Sequence, residues 1–300
     1  MAMSSVRYSL RQLEVFLATA REQNVTRAAQ SLAMSQSAAS GALRELEARF
    51  GVQLFDRVGK RLQLSELGRQ LRPQAENLLA QARDFERALA GQGVRGELRI
   101  GATLTIGNYL AVGMIAEFRR RYPEADIALR VANTEAIARG VATFELDMGL
   151  VEGEIHHPEL EVRHWRDDEL QLFVAPEHPL AQAPPLDDRQ LLAQRWILRE
   201  PGSGTRQTFE RAMHGILPDL DVTLELQHTE AIKRAVEAGL GVGCLSRISL
   251  EEAFARGSLV PLHARSRVFD RELYIILHRD KYHSEGMRHW LRLCDEEWAE

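Results

Sequence analysis

The sequence predicts two fold classes in one chain, an all-α N-terminal part and an α/β remainder built on parallel strands. Three observations carry this. Apolar residues recur at helical spacing from residue 9 to about 90. The run Gly91-Gln92-Gly93-Val94-Arg95-Gly96 then places three glycines in six residues, the composition of a hinge. Beyond it, short apolar strands alternate with helices in βαβ order.

In chain order, Leu10, Leu13, Phe16, Leu17 and Ala20 fall on one helix face, with Ser9 as N-cap. A short second helix follows Asn24, with Ala28, Ala29 and Leu32 as its apolar positions, and Ala33-Met34 makes a turn. A third helix opens at Ser35 and runs through Leu43, Leu46 and Phe50 to a stop at Gly51. Val58-Gly59-Lys60-Arg61 reads as a tight basic hairpin between short strands at 53–56 and 62–64. Ser65 caps a long helix whose apolar positions Leu71, Ala75, Leu78, Ala82, Phe85 and Leu89 alternate four and three apart. That is a heptad seam, and exposed on one helix it wants a partner helix. Pro73 is expected to kink this helix or mark its true start.

After the hinge come strand 97–101, helix 106–122, strand 127–131, helix 134–143 and strand 146–151. A second set follows, with strands at 162–165 and 170–175, a proline-rich loop at 176–185, and strand 196–198. Helix 204–214, strand 222–226, helix 229–238 and strand 241–245 complete it, before a late strand at 273–277 and a last helix at 283–298.

The net charge of −5 argues by itself against a nucleic-acid partner. Its distribution argues for one. The first 65 residues hold nine Arg and Lys against five acids, a net +4, which leaves −9 for the rest. A basic head on an acidic body suggests a polyanion-binding module carried by something else. No apolar run reaches the roughly 18–20 residues of a membrane span, and the start MAMSSVRYSLRQLEVF lacks a signal-peptide pattern, so a cytoplasmic location without a membrane partner is expected. Cys244 and Cys294 form neither a disulfide framework nor a zinc set.

The segment Asn24–Arg57 has the spacing of a helix-turn-helix. Ala28 and Ala29 let the second helix approach the third. Ser35 frees the start of the third helix, where Gln36, Ser37 and Ser40 carry groups able to bond base edges or phosphates. Arg57, Lys60 and Arg61 would meet flanking phosphates or a minor groove. Thr26, Ser35, Gln36, Ser37, Ser40, Arg57, Lys60 and Arg61 are therefore the candidate DNA contacts.

The run AAxxLxxSQSAxSxxLxxLExxxGxxLFxR within this segment resembles the LysR-type transcriptional regulators. The heptad helix, the glycine hinge, the LRIG strand start and the GLGVG segment are similar to that family too, so the likeness covers nearly the whole chain. It implies an N-terminal winged helix-turn-helix (residues 1–65), a dimerising linker helix (66–91) and a two-lobed, periplasmic-binding-protein-like α/β effector domain (92–300). It also implies lobe I at about 97–162 and 268–300, lobe II at about 163–267, and a homodimer or homotetramer. One departure matters. Gly41-Ala42 stands where many relatives place Arg or Gln, which removes two base readers.

Three helix starts in the α/β part carry hydroxyls or glycine after a strand: Ala102-Thr103-Leu104-Thr105, Pro201-Gly202-Ser203-Gly204-Thr205-Arg206 and His228-Thr229-Glu230. Ligands of open α/β sheets bind beyond the carboxyl ends of strands, and free N–H groups at helix starts favour anions. If two lobes face each other, Ala102, Thr103, Thr105, Ser203, Gly204, Thr205 and Thr229 would line one small-anion cleft, with Arg199 or Arg206 supplying charge. The alternative is plain N-capping. The blocks REPGSGTR, EAIKRAVEAGLGVGCLS and ELYIILHRDKYHS are similar to LysR-type regulators of sulfur assimilation and of inorganic-carbon or nitrogen control, which makes sulfite or another small oxyanion the expected effector.

The glycines at 202 and 204 lack P-loop spacing, and Gly239–Gly243 is not a dinucleotide fingerprint. No nucleophile–base pair and no metal-ligand frame emerges around His156, His157, His278 or His283. The expected protein is a non-enzymatic regulator without cofactor or metal. Its expected partners are double-stranded DNA, a small-molecule effector and further copies of the chain, with RNA polymerase as another candidate. The competing readings are an enzyme or a solute receptor on binding-protein-like lobes, carrying the first 90 residues as an oligomerisation arm.

Overall fold

The computed structural model describes residues 6–59, 61–90 and 96–296. Lys60 and positions 91–95 of the glycine run lie outside the described residues. The chain separates into two compact units. One runs from the N-terminus to Arg95 and takes in Asp280–Arg288; the other spans Gly96–Arg279 and continues from His289.

The first unit begins with α1 (Leu10–Glu22), α2 (Val25–Ser31) and α3 (Gln36–Phe50). Each start is capped. Ser9 and Gln12 form a capping box, Asn24 accepts from the amides of Thr26 and Arg27, and Ser35 accepts from the amide of Ala38. Between α2 and α3, Ala33 takes a left-handed φ of 52°. The strands β1 (Phe55–Val58) and β2 (Arg61–Leu64) pair antiparallel with Val58 opposite Arg61. Gly59, after Val58, takes the positive φ such a hairpin requires, +61°. The hairpin extends two residues further into the basic segment than the sequence predicts on its first strand, because Arg57 pairs with Leu62.

α4 (Glu66–Leu89) runs as one helix of 24 residues through Pro73, so the proline is not its start. Leu13, Phe16, Leu17, Leu43, Leu46, Leu54 and Phe55 make the core together with Ala75 and Leu79 of α4, and Phe16 meets Phe55 edge-on at 5.6 Å. The predicted seam therefore divides. Ala75 turns into the core, while Leu78, Phe85 and Leu89 remain exposed, the last two at 66% and 73%.

The second unit holds two parallel blocks. The first is β3 (Gly96–Ala102), α5 (Leu104–Ile106) leading through a π-helical turn (Gly107–Ala111) into α6 (Val112–Arg121), β4 (Ala125–Val131), α7 (Thr134–Ala142) and β5 (Met148–Glu152). The long strand β6 (Leu160–Val174) crosses to the second block. That block comprises α8 (Asp188–Leu192), β7 (Arg195–Arg199), α9 (Gly204–Ala212), β8 (Asp221–Leu226), α10 (Thr229–Glu237), β9 (Val242–Ser246), α11 (Arg247–Arg256) and β10 (Val260–Leu262). β11 (Asp270–His278) returns, and α12 (Glu285–Asp295) closes the described chain.

The strand order is β4-β3-β5-β11-β6-β9-β7-β8, with β10 on β6. Pairings within each block are parallel, whereas β6 and β11 pair antiparallel with each other and with their neighbours. Each block has its own core, Ile137, Val141 and Leu146 marking the first and Trp196, Phe209 and Met213 the second. Two lobes joined by two crossover strands result.

Three sequence expectations change here. The segments 162–165 and 170–175 are one strand, because the charged stretch Arg166–Glu169 stays paired to β11. The elements α8, α11 and β10 are additions to the sequence reading; α11 follows β9 without a break, so no turn residue announces it. The last helix starts at Glu285 rather than at His283.

Candidate functional site

In the first unit, Ser35, Gln36 and Ser37 are exposed at the start of α3, and Ser40 is half-buried one turn later. Their polar groups satisfy one another: Gln36 Nε2 donates to Ser40 Oγ at 2.8 Å, and the Ser35 and Ser37 hydroxyls lie 3.0 Å apart. These bonds are exchangeable, so the groups can turn to a ligand. Arg57 and Arg61 are exposed on the hairpin, and Thr26 is exposed at the start of α2. Arg44, which the sequence reading passed over, is also exposed on α3 and bonds the carbonyl of Ser40 at 3.2 Å. The signal was its i+4 spacing from Ser40. The result is a small-residue helix start beside basic side chains, suited to a polyanion.

In the second unit two of the three helix starts, those of α5 and α9, meet at a buried charged cluster. Glu152, at the end of β5, accepts from the amide of Thr105 at 3.0 Å and the hydroxyl of Thr205 at 3.1 Å. Arg271, at the start of β11, donates to Glu152 at 2.8 Å, to Asp168 at 2.6 Å, and to the hydroxyls of Thr205 and Thr105 at 3.0 and 3.3 Å. Asp168 also accepts from Ser246 at 3.0 Å. These groups come from both lobes, and the Arg271, Glu152 and Asp168 side chains are only 1–2% exposed.

Burial pushes the Glu152 carboxyl up. The Arg271 charge, the Thr105 bond and the Arg199 charge outweigh it and hold the carboxyl below its ordinary range. Gly204 is required where α9 meets β5, since a Cβ there would lie 2.1 Å from the carbonyl oxygen of Glu152. Its amide instead donates to Thr134 Oγ1 at 3.2 Å.

The start of α10 is tied to the first lobe by a second cluster. Tyr109 Oη donates to Glu230 at 2.8 Å and accepts from Lys233 Nζ at 3.2 Å, and Lys233 also donates to the carbonyl of Ser249 at 3.1 Å. Burial lowers the Lys233 pKa, but Glu230 and Tyr109 reverse that and raise it overall.

Ala102, Thr103, Thr105, Arg199, Ser203, Gly204, Thr205 and Thr229 are all buried. Thr105 and Thr205 are engaged by Glu152 and Arg271. Arg199 forms a two-pronged pair with Glu200 at 2.8 and 3.0 Å, and Arg206 pairs with Glu210 and Glu225, so both cations are already matched. Thr103 Oγ1, in the first lobe, and Thr229 Oγ1, in the second, are buried without a hydrogen-bond partner. Unsatisfied buried hydroxyls are costly, and a ligand that bonds them is one arrangement that accounts for them. Sequence reasoning missed Glu152, Asp168 and Arg271 because Glu152 and Arg271 sit near strand ends and Asp168 in the middle of β6, none within a local motif.

A basic helix-turn-helix followed by a two-lobed α/β unit with a polar, buried lobe junction defines a ligand-responsive transcriptional regulator. Residues 10–69 match the bacterial regulatory helix-turn-helix protein, lysR family, and residues 91–299 match the LysR substrate binding domain. The chain belongs to the LysR family of transcriptional regulators.

It is 43% identical to the HTH-type transcriptional regulator YeiE of Escherichia coli (strain K12), over 96% of this chain and 97% of that protein. It is 34% identical to the RuBisCO operon transcriptional regulator of Allochromatium vinosum, over 91% of each. Among solved structures, a full-length variant of OxyR from Pseudomonas aeruginosa has the same fold, with a TM-score of 0.73 at 23% identity over 97% of this chain and 95% of that one. The regulatory domain of CcmR from Synechocystis PCC6803, in complex with 2-PG, aligns with a TM-score of 0.62 at 29% identity, over 67% of this chain and 96% of that one. These relatives make the chain a regulator rather than an enzyme. Among the described residues, no helix is long and apolar enough to cross a membrane.

Proposed function

We propose that this regulator reads duplex DNA sequence with the start of α3 and the basic hairpin, under control of a small oxyanion held where its two lobes meet. The observation that carries the effector reading is the pair of buried, unpartnered hydroxyls, Thr103 Oγ1 and Thr229 Oγ1, one from each lobe. A small oxyanion bonded by both would favour the closed arrangement of the lobes, and that differential affinity is what a switch needs. The regulatory domain of CcmR, solved with 2-PG, supports a small ligand in this kind of domain. Sulfite is the candidate effector.

On the DNA side, Gln36, Ser37 and Ser40 would address base edges or phosphates, with Thr26, Ser35, Arg57, Lys60 and Arg61 on the backbone. The exposed Leu78, Phe85 and Leu89 of α4 suit pairing with a second copy, and two such dimers would make the tetramer. A cytoplasmic location and a contact with RNA polymerase belong to the same reading.

Calorimetric titration of the full chain with sulfite, sulfate and phosphate tests the effector. Saturable sulfite binding is expected, lost in Thr103→Val and Thr229→Val variants that melt like the parent. Absence of heat with any of the three anions, in protein that binds DNA, refutes the oxyanion reading.

A further inference from the structure

The crossover strands carry a cluster that neither the DNA face nor the lobe junction uses. In the β6–β11 ladder, Asp167 stands directly opposite Glu272. Like charges in that relation repel. One residue pair further along, the register shifts: Leu273 faces Arg166, but Tyr274 faces His164, so Trp165 is the extra residue of a bulge.

Without the bulge, His164 and Asp167 would point to opposite faces, since alternate residues of a strand share a face. With it they meet: His164 Nε2 lies 2.9 Å from Asp167 Oδ1. Bulges re-aim side chains in this way. Donor atoms of His164, Asp167 and Glu272 all lie within 4.8 Å of one another, and all three residues are exposed.

The surroundings also suit a cation. Tyr274 Oη donates to Glu272 at 2.6 Å and fixes that carboxylate, as groups behind metal ligands do. Arg211, which lines the same hollow as Glu272 and Tyr274, is already paired with Glu154 at 2.6 Å.

We infer that His164, Asp167 and Glu272 form a binding site for a divalent transition-metal ion of the zinc class, tying β6 to β11 where the lobes join. One imidazole and two carboxylates are a ligand set for zinc or cobalt that leaves positions for water, and the imidazole disfavours magnesium and calcium. Metal binding would replace the His164–Asp167 contact and relieve the facing acid pair. No local motif announces the site, because its ligands lie on two strands far apart in sequence.

The test is titration of the untagged full chain with zinc alone and, separately, cobalt alone at pH 7. One ion per chain is expected, with a raised melting temperature and a cobalt spectrum free of thiolate charge transfer. His164→Ala and Asp167→Asn should abolish it, and Tyr274→Phe should weaken it by about tenfold, within the range for losing a second-layer partner. A His156→Gln, His157→Gln variant should bind like the parent. Binding that survives His164→Ala, or follows His156 and His157 instead, overturns the assignment, as does no saturable binding of either ion. None of the substituted side chains is buried, and parental melting in metal-free buffer confirms that each variant is folded.

Discussion

Replacing Arg271 by Met tests the lobe junction most directly. Methionine fills much of the same volume and removes the charge and every donor. Glu152 and Asp168, at 1% and 2% exposure, then keep only the Thr105 amide and the Thr205 and Ser246 hydroxyls. Breaking a buried pair from one side leaves uncompensated charge and costs about 3–5 kcal/mol. Urea unfolding followed by tryptophan fluorescence reads this, since Trp165, Trp196 and Trp290 all lie in the second unit. With a slope of roughly 2 kcal/mol per molar urea, the midpoint should fall by about 2 M.

The pH dependence has a definite sign. In the parent, the Glu152 pKa is depressed, so its contribution is fully present above the ordinary carboxylate range and is lost as pH falls through its folded value. In Arg271→Met the depressing charge is gone and burial remains, so at least one carboxyl titrates above its unfolded value. The deficit should therefore shrink as pH falls from 7 toward 5. A loss under about 1 kcal/mol at pH 7, or a larger loss that ignores pH over that range, refutes the argument that this cluster holds the lobes together.

Other outcomes follow from the same structure. Arg57→Ala should weaken binding to all duplexes and reduce the salt slope by about one, whereas Gln36→Ala should change sequence preference, both read by fluorescence anisotropy at several salt concentrations. Phe85→Glu with Leu89→Glu should lower the oligomeric state in analytical ultracentrifugation without lowering the melting temperature of the second unit, because both side chains are exposed. Burial raises both thiols, Cys294 to about 12 and Cys244 further, so native protein should react with a thiol reagent only as fast as it opens, and fully after unfolding.

What could be read from the sequence was local. The helix starts of the first unit announce themselves through Ser9, Asn24 and Ser35, because a cap and the amides it bonds lie within three residues. The parallel blocks announce themselves through alternation of strand and helix. Asp168 and Arg271 meet across β6 and β11, 103 residues apart, and each by itself looks like surface charge in a polar stretch. The same stretch hides the continuity of β6, because strand propensity is low for Arg-Asp-Asp-Glu and only the partner strand compensates. Thr103 and Thr229 are legible as hydroxyls at helix starts, but not as groups left without partners, since that depends on both lobes. The half of the α4 seam that turns inward is illegible for a related reason: the heptad spacing does not say which positions the domain's own core will take.

The cluster also bears on which anion fits. Glu152 takes the Thr105 amide and the Thr205 hydroxyl, the donors that the sequence assigns to an external anion. Under the oxyanion reading, the effector must sit beside a resident carboxylate. At about 5 Å and an effective dielectric constant of about 20, each unit of like charge costs about 3 kcal/mol. A dianion carries that cost twice, and the matched pairs Arg199–Glu200 and Arg206–Glu210 offer little relief. An anion that keeps a proton near neutral pH can donate it to a carboxylate oxygen, as hydrogen sulfite does and sulfate cannot. Glu152→Gln removes the repulsion while leaving an amide of the same shape. Calorimetry should then show sulfate binding that the parent lacks, with sulfite binding weakened or unchanged. If the variant still rejects sulfate as the parent does, the discrimination does not come from this carboxylate, and the effector sits away from Glu152.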